Sequence, residues 1–167
     1  MKPETYKKTT EIIIKMIDYF GKDVKRINHA LKVNAFARII ASSEKISEEE
    51  DIIIQYSSIL HDIGIKNAEK KYGSAAGKYQ EIEGPKIAGQ ILAEAGVAEN
   101  IIERVCFITG RHHSYNKIDG PDFQIIAEAD FIVNIYEDNM RDDAVKSVYN
   151  KIFKTDSGKK LLREMYG

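Results

Sequence analysis

Apolar residues return at every third or fourth position along almost the whole chain, a rhythm that fits helices and excludes a sheet. From Glu4 to Phe20, the side chains of Ile12, Ile13, Met16, Ile17 and Phe20 keep this spacing, and Gly21 follows as a cap. A second helix is predicted from about Val24 to Glu44, with Ile27, Leu31, Ala35 and Ile39 as its apolar stripe. Ser47 followed by Glu48-Glu49-Glu50 starts a third, which runs to Ile59-Leu60-His61. Its body is apolar or small on most sides, as in a helix buried centrally. Between Lys66 and Gly84 the chain is polar without sustained periodicity, which predicts a loop with at most one helical turn. Pro85 suits the first position of a fourth helix closing at Gly96, and a fifth spans about Ala98 to Arg111. Gly120-Pro121-Asp122 opens a sixth, to about Tyr136, and two short helices follow, roughly Asp142 to Phe153 and Asp156 to Tyr166. No strand pattern and no internal repeat competes, so the expected fold is an all-α bundle of about six to eight helices.

A chain of 167 residues holds one well-buried core, so a single domain over residues 1–167 is expected. With 43% hydrophobic and 31% charged residues, no Trp and three prolines, the balance is that of a soluble helical protein. The 25 basic and 26 acidic residues nearly cancel, which removes the long-range field that draws in a nucleic-acid polymer or an anionic membrane. The lone Cys106, in Val105-Cys106-Phe107-Ile108, reads as a structural thiol, and one cysteine cannot form a disulfide within the chain. Met1-Lys2-Pro3-Glu4 has neither the basic start nor the apolar core of a signal peptide, and no apolar run approaches the ~18 residues of a membrane span. The expectation is a cytoplasmic protein, whose tyrosine and isoleucine content leaves room for a homodimer.

Charged groups within the apolar helices carry the chemistry. His29 lies inside the second helix, His61-Asp62 ends the third, and Asp130 sits in the apolar stretch Ala129 to Val133, where a carboxylate is costly unless something neutralises it. Two imidazoles and two carboxylates close four positions around one divalent transition ion: Mn, Fe, Co, Ni or Zn. A site for Mg or Ca alone would normally be built from oxygen ligands.

The order His29, then Ile59-Leu60-His61-Asp62-Ile63-Gly64, then Ala127-Glu128-Ala129-Asp130 resembles the HD-domain superfamily of metal-dependent phosphohydrolases, over about Val24 to Glu137. The resemblance implies an HD-type core at about 24–137, with helices 4–20 and 142–166 packed on it. It also implies His29, His61, Asp62 and Asp130 as ligands of one metal ion. Many members of the superfamily hold a second ion through two further histidines. The later is matched by Arg111-His112-His113, with His112 preferred as the one facing the site. The earlier would fall at about Gln80, a poor ligand, so one ion is expected, and a second only if Glu81 or Glu83 substitutes. The turn Gly64-Ile65-Lys66-Asn67 lacks the acidic residue that some nucleotide-cleaving members carry there, which argues against the guanosine-tetraphosphate hydrolase and deoxynucleotidase subtypes.

A phosphate needs cations around it, and Lys66, Lys70, Lys71, Lys78 and Arg111 flank the expected ligands, with Arg26 three residues before His29. Arg26, Lys66, Arg111, Glu83 and Asn134 are the candidate substrate-binding residues, and Tyr115 a further contact. The expected activity is metal-dependent hydrolysis of a small phosphorylated molecule, a nucleotide among the candidates, as phosphomonoester or phosphodiester. Asp62 would hold the ion and orient water, while His112 or His113 neutralises the phosphoryl group or protonates the leaving oxygen. Two alternatives stay open: a non-catalytic metal- or nucleotide-binding signalling module, and a diiron oxygenase of the same superfamily.

Overall fold

The computed structural model describes residues 3–167, so Met1 and Lys2 of the stretch read above for a leader lie outside it. The helices are α1 (Pro3–Phe20), α2 (Val24–Ala41), α3 (Glu48–Leu60), α4 (Ile65–Tyr72), α5 (Gly77–Glu94), α6 (Glu99–Thr109), α7 (Pro121–Glu137), α8 (Asp142–Lys151) and α9 (Asp156–Tyr166), with a 3₁₀ turn at Tyr115–Lys117. Among the described residues there is no strand, so the protein is all-α. The eight expected helices are present and α4 is an additional one.

α3 is the axis of the bundle. It packs against α1, α2, α6 and α7, and every residue from Ile53 to Leu60 is buried. A capping box starts it: Ser47 Oγ accepts from the Glu50 amide at 3.2 Å, and Glu50 Oε2 accepts from the Ser47 amide at 2.7 Å. Because the helix runs through the centre, the residues that follow it, His61 and Asp62, emerge inside the protein.

The buried face of α2 differs from the expected stripe. Ile39 is 52% exposed and Ala35 faces outward, while Ala30, Val33, Ala37 and Ile40 are buried with His29 and Asn34. Apolar residues surround this helix, so spacing alone does not choose the face. The alanine-bearing face won because short side chains let α3 and α7 approach closely.

The segment from Lys66 to Gly84, expected to be a loop with at most one helical turn, is helical except at residues 73–76, which join α4 to α5. Ala68 is the one buried side chain of α4, too sparse a signal to register as periodicity, and Gly73 closes the helix at φ +63°, donating to Glu69 O at 2.9 Å. Pro85 lies inside α5 instead of at its start. Proline removes the donor for the Glu81 carbonyl. That carbonyl and the Pro85 ring lie against Gly110, where a Cβ would come within 3.5 Å and 2.9 Å of them. Tertiary packing thus tolerates a residue that local rules place at a boundary.

Gly64 fixes the exit from the His-Asp turn. A Cβ there would stand 2.4 Å from Gln80 O and 2.6 Å from Gly84 N, so the turn presses against the α5 backbone. On the far side, α7 is anchored by Glu128, which is fully buried and accepts from the Lys154 and Thr155 amides at 2.6 and 2.9 Å. Cys106 is half-buried, its thiol donating to Pro85 O at 3.2 Å. Among the described residues no helix is long and apolar enough to cross a membrane.

Candidate metal centre

His29 from α2, His61 at the end of α3 and Asp130 from α7 converge, each 7% exposed or less. His29 Nε2 lies 3.2 Å from His61 Nε2 and 3.1 Å from Asp130 Oδ1, and His61 Nε2 lies 3.6 Å from the same oxygen. Asp62 Oδ2 stands 3.6 Å from His29 Nε2 and 3.7 Å from His61 Nε2. Donors bonded to one ion at ~2.1 Å are separated by about 3.0 Å at right angles and about 3.4 Å at tetrahedral angles. The observed spacings, 3.1–3.7 Å, run from near the first value to slightly above the second; His29, His61 and Asp130 lie mutually within 4.8 Å with Asp62 beside them, so the cluster could hold a metal ion.

The outer ring nitrogens support the same fit. His29 Nδ1 donates to Glu137 Oε2 at 2.9 Å, and His61 Nδ1 to Ser58 O at 2.9 Å. The second acceptor is a carbonyl of the last turn of α3, a group the helix itself leaves free. With Nδ1 engaged as donor, Nε2 is the nitrogen aimed inward. Asn134 Nδ2 donates to Asp130 Oδ1 at 3.0 Å and orients that carboxylate.

A second group adjoins the first and shares Asp62. His112 Nε2 lies 3.1 Å from Asp62 Oδ1, and its Nδ1 donates to Thr109 O at 2.8 Å, as His61 does to Ser58. Asp62, His112 and His113 each offer an atom within 4.8 Å of the others, as do His29, His61 and Asp130. One Asp62 oxygen therefore serves each group. Both histidines of the pair belong to the second group, although only one was expected to face the site. Glu81 accepts from the His113 amide and from Ser114 Oγ at 3.1 and 3.0 Å, bracing this turn from outside. His113 Nε2 and Gln80 Oε1 are buried without a hydrogen-bond partner among the described residues.

The electrostatics demand positive charge. Burial alone would raise the Asp62 and Asp130 carboxyls, but the His61 charge and the His112 hydrogen bond hold Asp62 well below the usual carboxylate range. Hydrogen bonds from His29 and His61 do the same to Asp130. Burial likewise disfavours the His29 imidazolium, yet Asp130, then Asp62 and Glu137, outweigh it and raise its pKa to about 9. His113 moves the other way, down to about 4, through burial and the neighbouring His112. The Tyr115 ring packs on Phe131 at 5.1 Å between centroids, and burial with the charges of Asp130 and Asp62 keeps its phenol protonated.

The expected substrate-binding residues scatter. Arg26 and Asn134 line a cavity of about 290 Å³ that reaches His29 and Asp62, together with Asp23, Lys25, Glu137 and Asp138. Lys66 is turned away, donating to Tyr19 O with its ammonium over the Tyr19 ring. Arg111 stacks on Phe107 at 4.1 Å. Glu83 is bound by Lys71 and Tyr72 at 2.6 and 3.1 Å, in a groove that includes none of the metal donors. Lys66, Arg111 and Glu83 thus do not join the centre, because each is satisfied by a nearer partner. A larger hollow, lined by Arg38, Ile39, Glu44 and Ser47, lies at the other end of α2 and α3.

Glu137 was missed in the sequence, although Asp130, Asn134 and Glu137 fall at i, i+4 and i+7 on one helix face. No family model matches this chain, and no curated protein or solved structure matches it either.

Proposed function

We propose that this protein is a metal-dependent phosphohydrolase of the HD-domain type, acting on a small phosphorylated molecule. The observation that carries this reading is the convergence of His29, His61 and Asp130, with Asp62 beside them, as a group that could hold a metal ion, each imidazole Nδ1 being engaged elsewhere. A bound Mn, Fe, Co, Ni or Zn ion would acidify water and polarise a phosphoryl oxygen. Asp62 spans both donor groups, so it orients the attacking water between them. With a single ion bound, His112, held by Thr109 O, would have its Nε2 facing Asp62 and available to donate to the leaving oxygen; with a second ion the same nitrogen would be a ligand instead. Asn134 and Tyr115 supply neutral donors beside the carboxylates. The sharing of Asp62 between two donor groups supports room for a second ion at Asp62, His112 and His113.

The test is elemental analysis and a phosphomonoester and phosphodiester panel on wild type, Asp62→Ala and Asp130→Ala, after loading with each of the five metals. Loss of both ion and turnover in the two variants is expected. Turnover that survives loss of Asp62 overturns the reading. A second reading, a binding or signalling module, draws on the internal pairing of Arg26 with Asp23 and Glu69. It predicts tight ligand binding without product across the panel.

A further inference from the structure

Most of the charges around the cavity over the donors are already paired within the protein. Arg26, the expected phosphate clamp, gives Nη1 to Asp23 at 2.5 Å and Nη2 to Glu69 at 2.6 Å. Lys32 is committed to Glu137. Asp62 and Asp130 would be matched by one divalent ion. Of the charges lining the opening there remain Asp138 and Lys25, for which the structure shows no ion-pair partner. The cations further out are also engaged: Lys71 with Glu83 at 2.6 Å, Lys66 on Tyr19 and Arg111 on Phe107.

A phosphate group carries about −1.5 to −2 charges at neutral pH. A single phosphoryl group can be met by the ion, by the neutral donor Asn134 and by Lys25. A further phosphoryl would find no second unpaired Lys or Arg among the described residues lining the opening and would face the carboxylates of Asp23, Glu137 and Asp138. We infer that the opening selects substrates bearing one phosphoryl group over di- and triphosphates, with Lys25 as the residue that reads the phosphoryl charge. This selection rests on the phosphohydrolase reading above for the place where the phosphoryl group sits.

The test is calorimetric binding of inorganic phosphate, pyrophosphate and tripolyphosphate to the Mn(II)-loaded protein, each ligand added as its preformed Mn(II) complex so that none strips the ion. Wild type is compared with Lys25→Glu and Glu69→Gln. Ion–ligand equilibria are the same for every variant, so changes in affinity ratio report the opening alone. Phosphate is expected to bind at least as tightly as the longer anions. Lys25→Glu is expected to weaken phosphate about tenfold, and Glu69→Gln, by removing one of the two carboxylates that hold Arg26, to improve pyrophosphate relative to phosphate severalfold. Pyrophosphate or tripolyphosphate binding tenfold more tightly than phosphate to wild type overturns the inference. So does undetectable phosphate binding, or phosphate affinity unchanged in Lys25→Glu. These readouts require no turnover, so a protein that binds in the expected order yet hydrolyses nothing refutes the phosphohydrolase reading and leaves the charge selection standing.

Discussion

Glu137 Oε2 accepts from His29 Nδ1 at 2.9 Å, and its other oxygen accepts from Lys32. A carboxylate behind an imidazole fixes the ring tautomer and orientation and makes the opposite nitrogen a better ligand. Glu137→Ala is therefore expected to weaken metal binding by about tenfold to a hundredfold while leaving the helical fold intact. Glu137→Gln keeps an acceptor and should lose less. Competitive metal titration against a chromophoric chelator measures both; unchanged affinity in Glu137→Ala would show that His29 needs no such support.

The titration of His29 predicts how stability of the chelator-treated protein varies with pH. Its pKa rises from 6.5 to about 9 on folding, so the folded state holds this proton more tightly than the unfolded chain. The associated stabilisation is fully present below pH 6.5 and is lost as pH climbs through about 9. Asp62 and Asp130 are depressed, so their share is present above the ordinary carboxylate range and is lost only in strong acid. The melting temperature without metal should fall between pH 6.5 and 9.5, and metal affinity should rise over the same interval as the competing proton leaves. Metal-saturated protein should lack this decline. A melting temperature that falls equally with and without metal would disprove the linkage.

Gly64 is expected to tolerate no side chain. In Gly64→Ala the new methyl meets backbone at 2.4 and 2.6 Å, Gln80 O and Gly84 N, which cannot rotate aside. Overpacking of this kind costs roughly 1–3 kcal/mol, or a fall in melting temperature of up to about 10 °C for a chain of this length. Gly73→Ala is a useful contrast: nothing lies within 4 Å, so only the left-handed backbone at φ +63° is penalised. Thermal denaturation should find Gly64→Ala the worse of the two, with weakened metal binding because Asp62 lies two residues away. Equal melting temperatures would mean that α5 moves to make room.

What the sequence made legible divides along physical lines. α3 was readable because its capping residues and nearly all-round apolarity are local signals, and His29, His61 and Asp130 because ionisable groups in apolar stretches need partners. α4 was not, since a helix that buries Ala68 alone shows no stripe, and Pro85 misled because its tolerance depends on Gly110 across the α5–α6 contact. Arg26, Lys66 and Glu83 lie near the motif in sequence, but their long-range partners, Glu69, the Tyr19 carbonyl and Lys71, are set by packing. Charge can be counted along a chain, whereas its neutralisation depends on the fold. Glu137 illustrates the reverse: its i+7 relation to Asp130 was visible, but its pairing with His29 required α2 beside α7.

Gly77 offers a way to disturb the second donor group alone. A Cβ at this position would stand 2.6 Å from His113 Cδ2, so the absence of a side chain lets the His113 ring sit against the start of α5. In Gly77→Ala the imidazole must swing away, because a flexible ring gives more readily than helix backbone. Alanine is the better helix former by up to about 1 kcal/mol, so the variant is expected to remain folded. His113 is then displaced while His29, His61 and Asp130, held by α2, α3 and α7, are untouched. If Asp62, His112 and His113 hold a second ion, elemental analysis at saturating metal should fall from about two ions per chain towards one, and His113→Ala should match it. A wild type that never exceeds one ion would assign His112 and His113 to substrate or proton handling instead. In that case Gly77→Ala should lower turnover without lowering metal content.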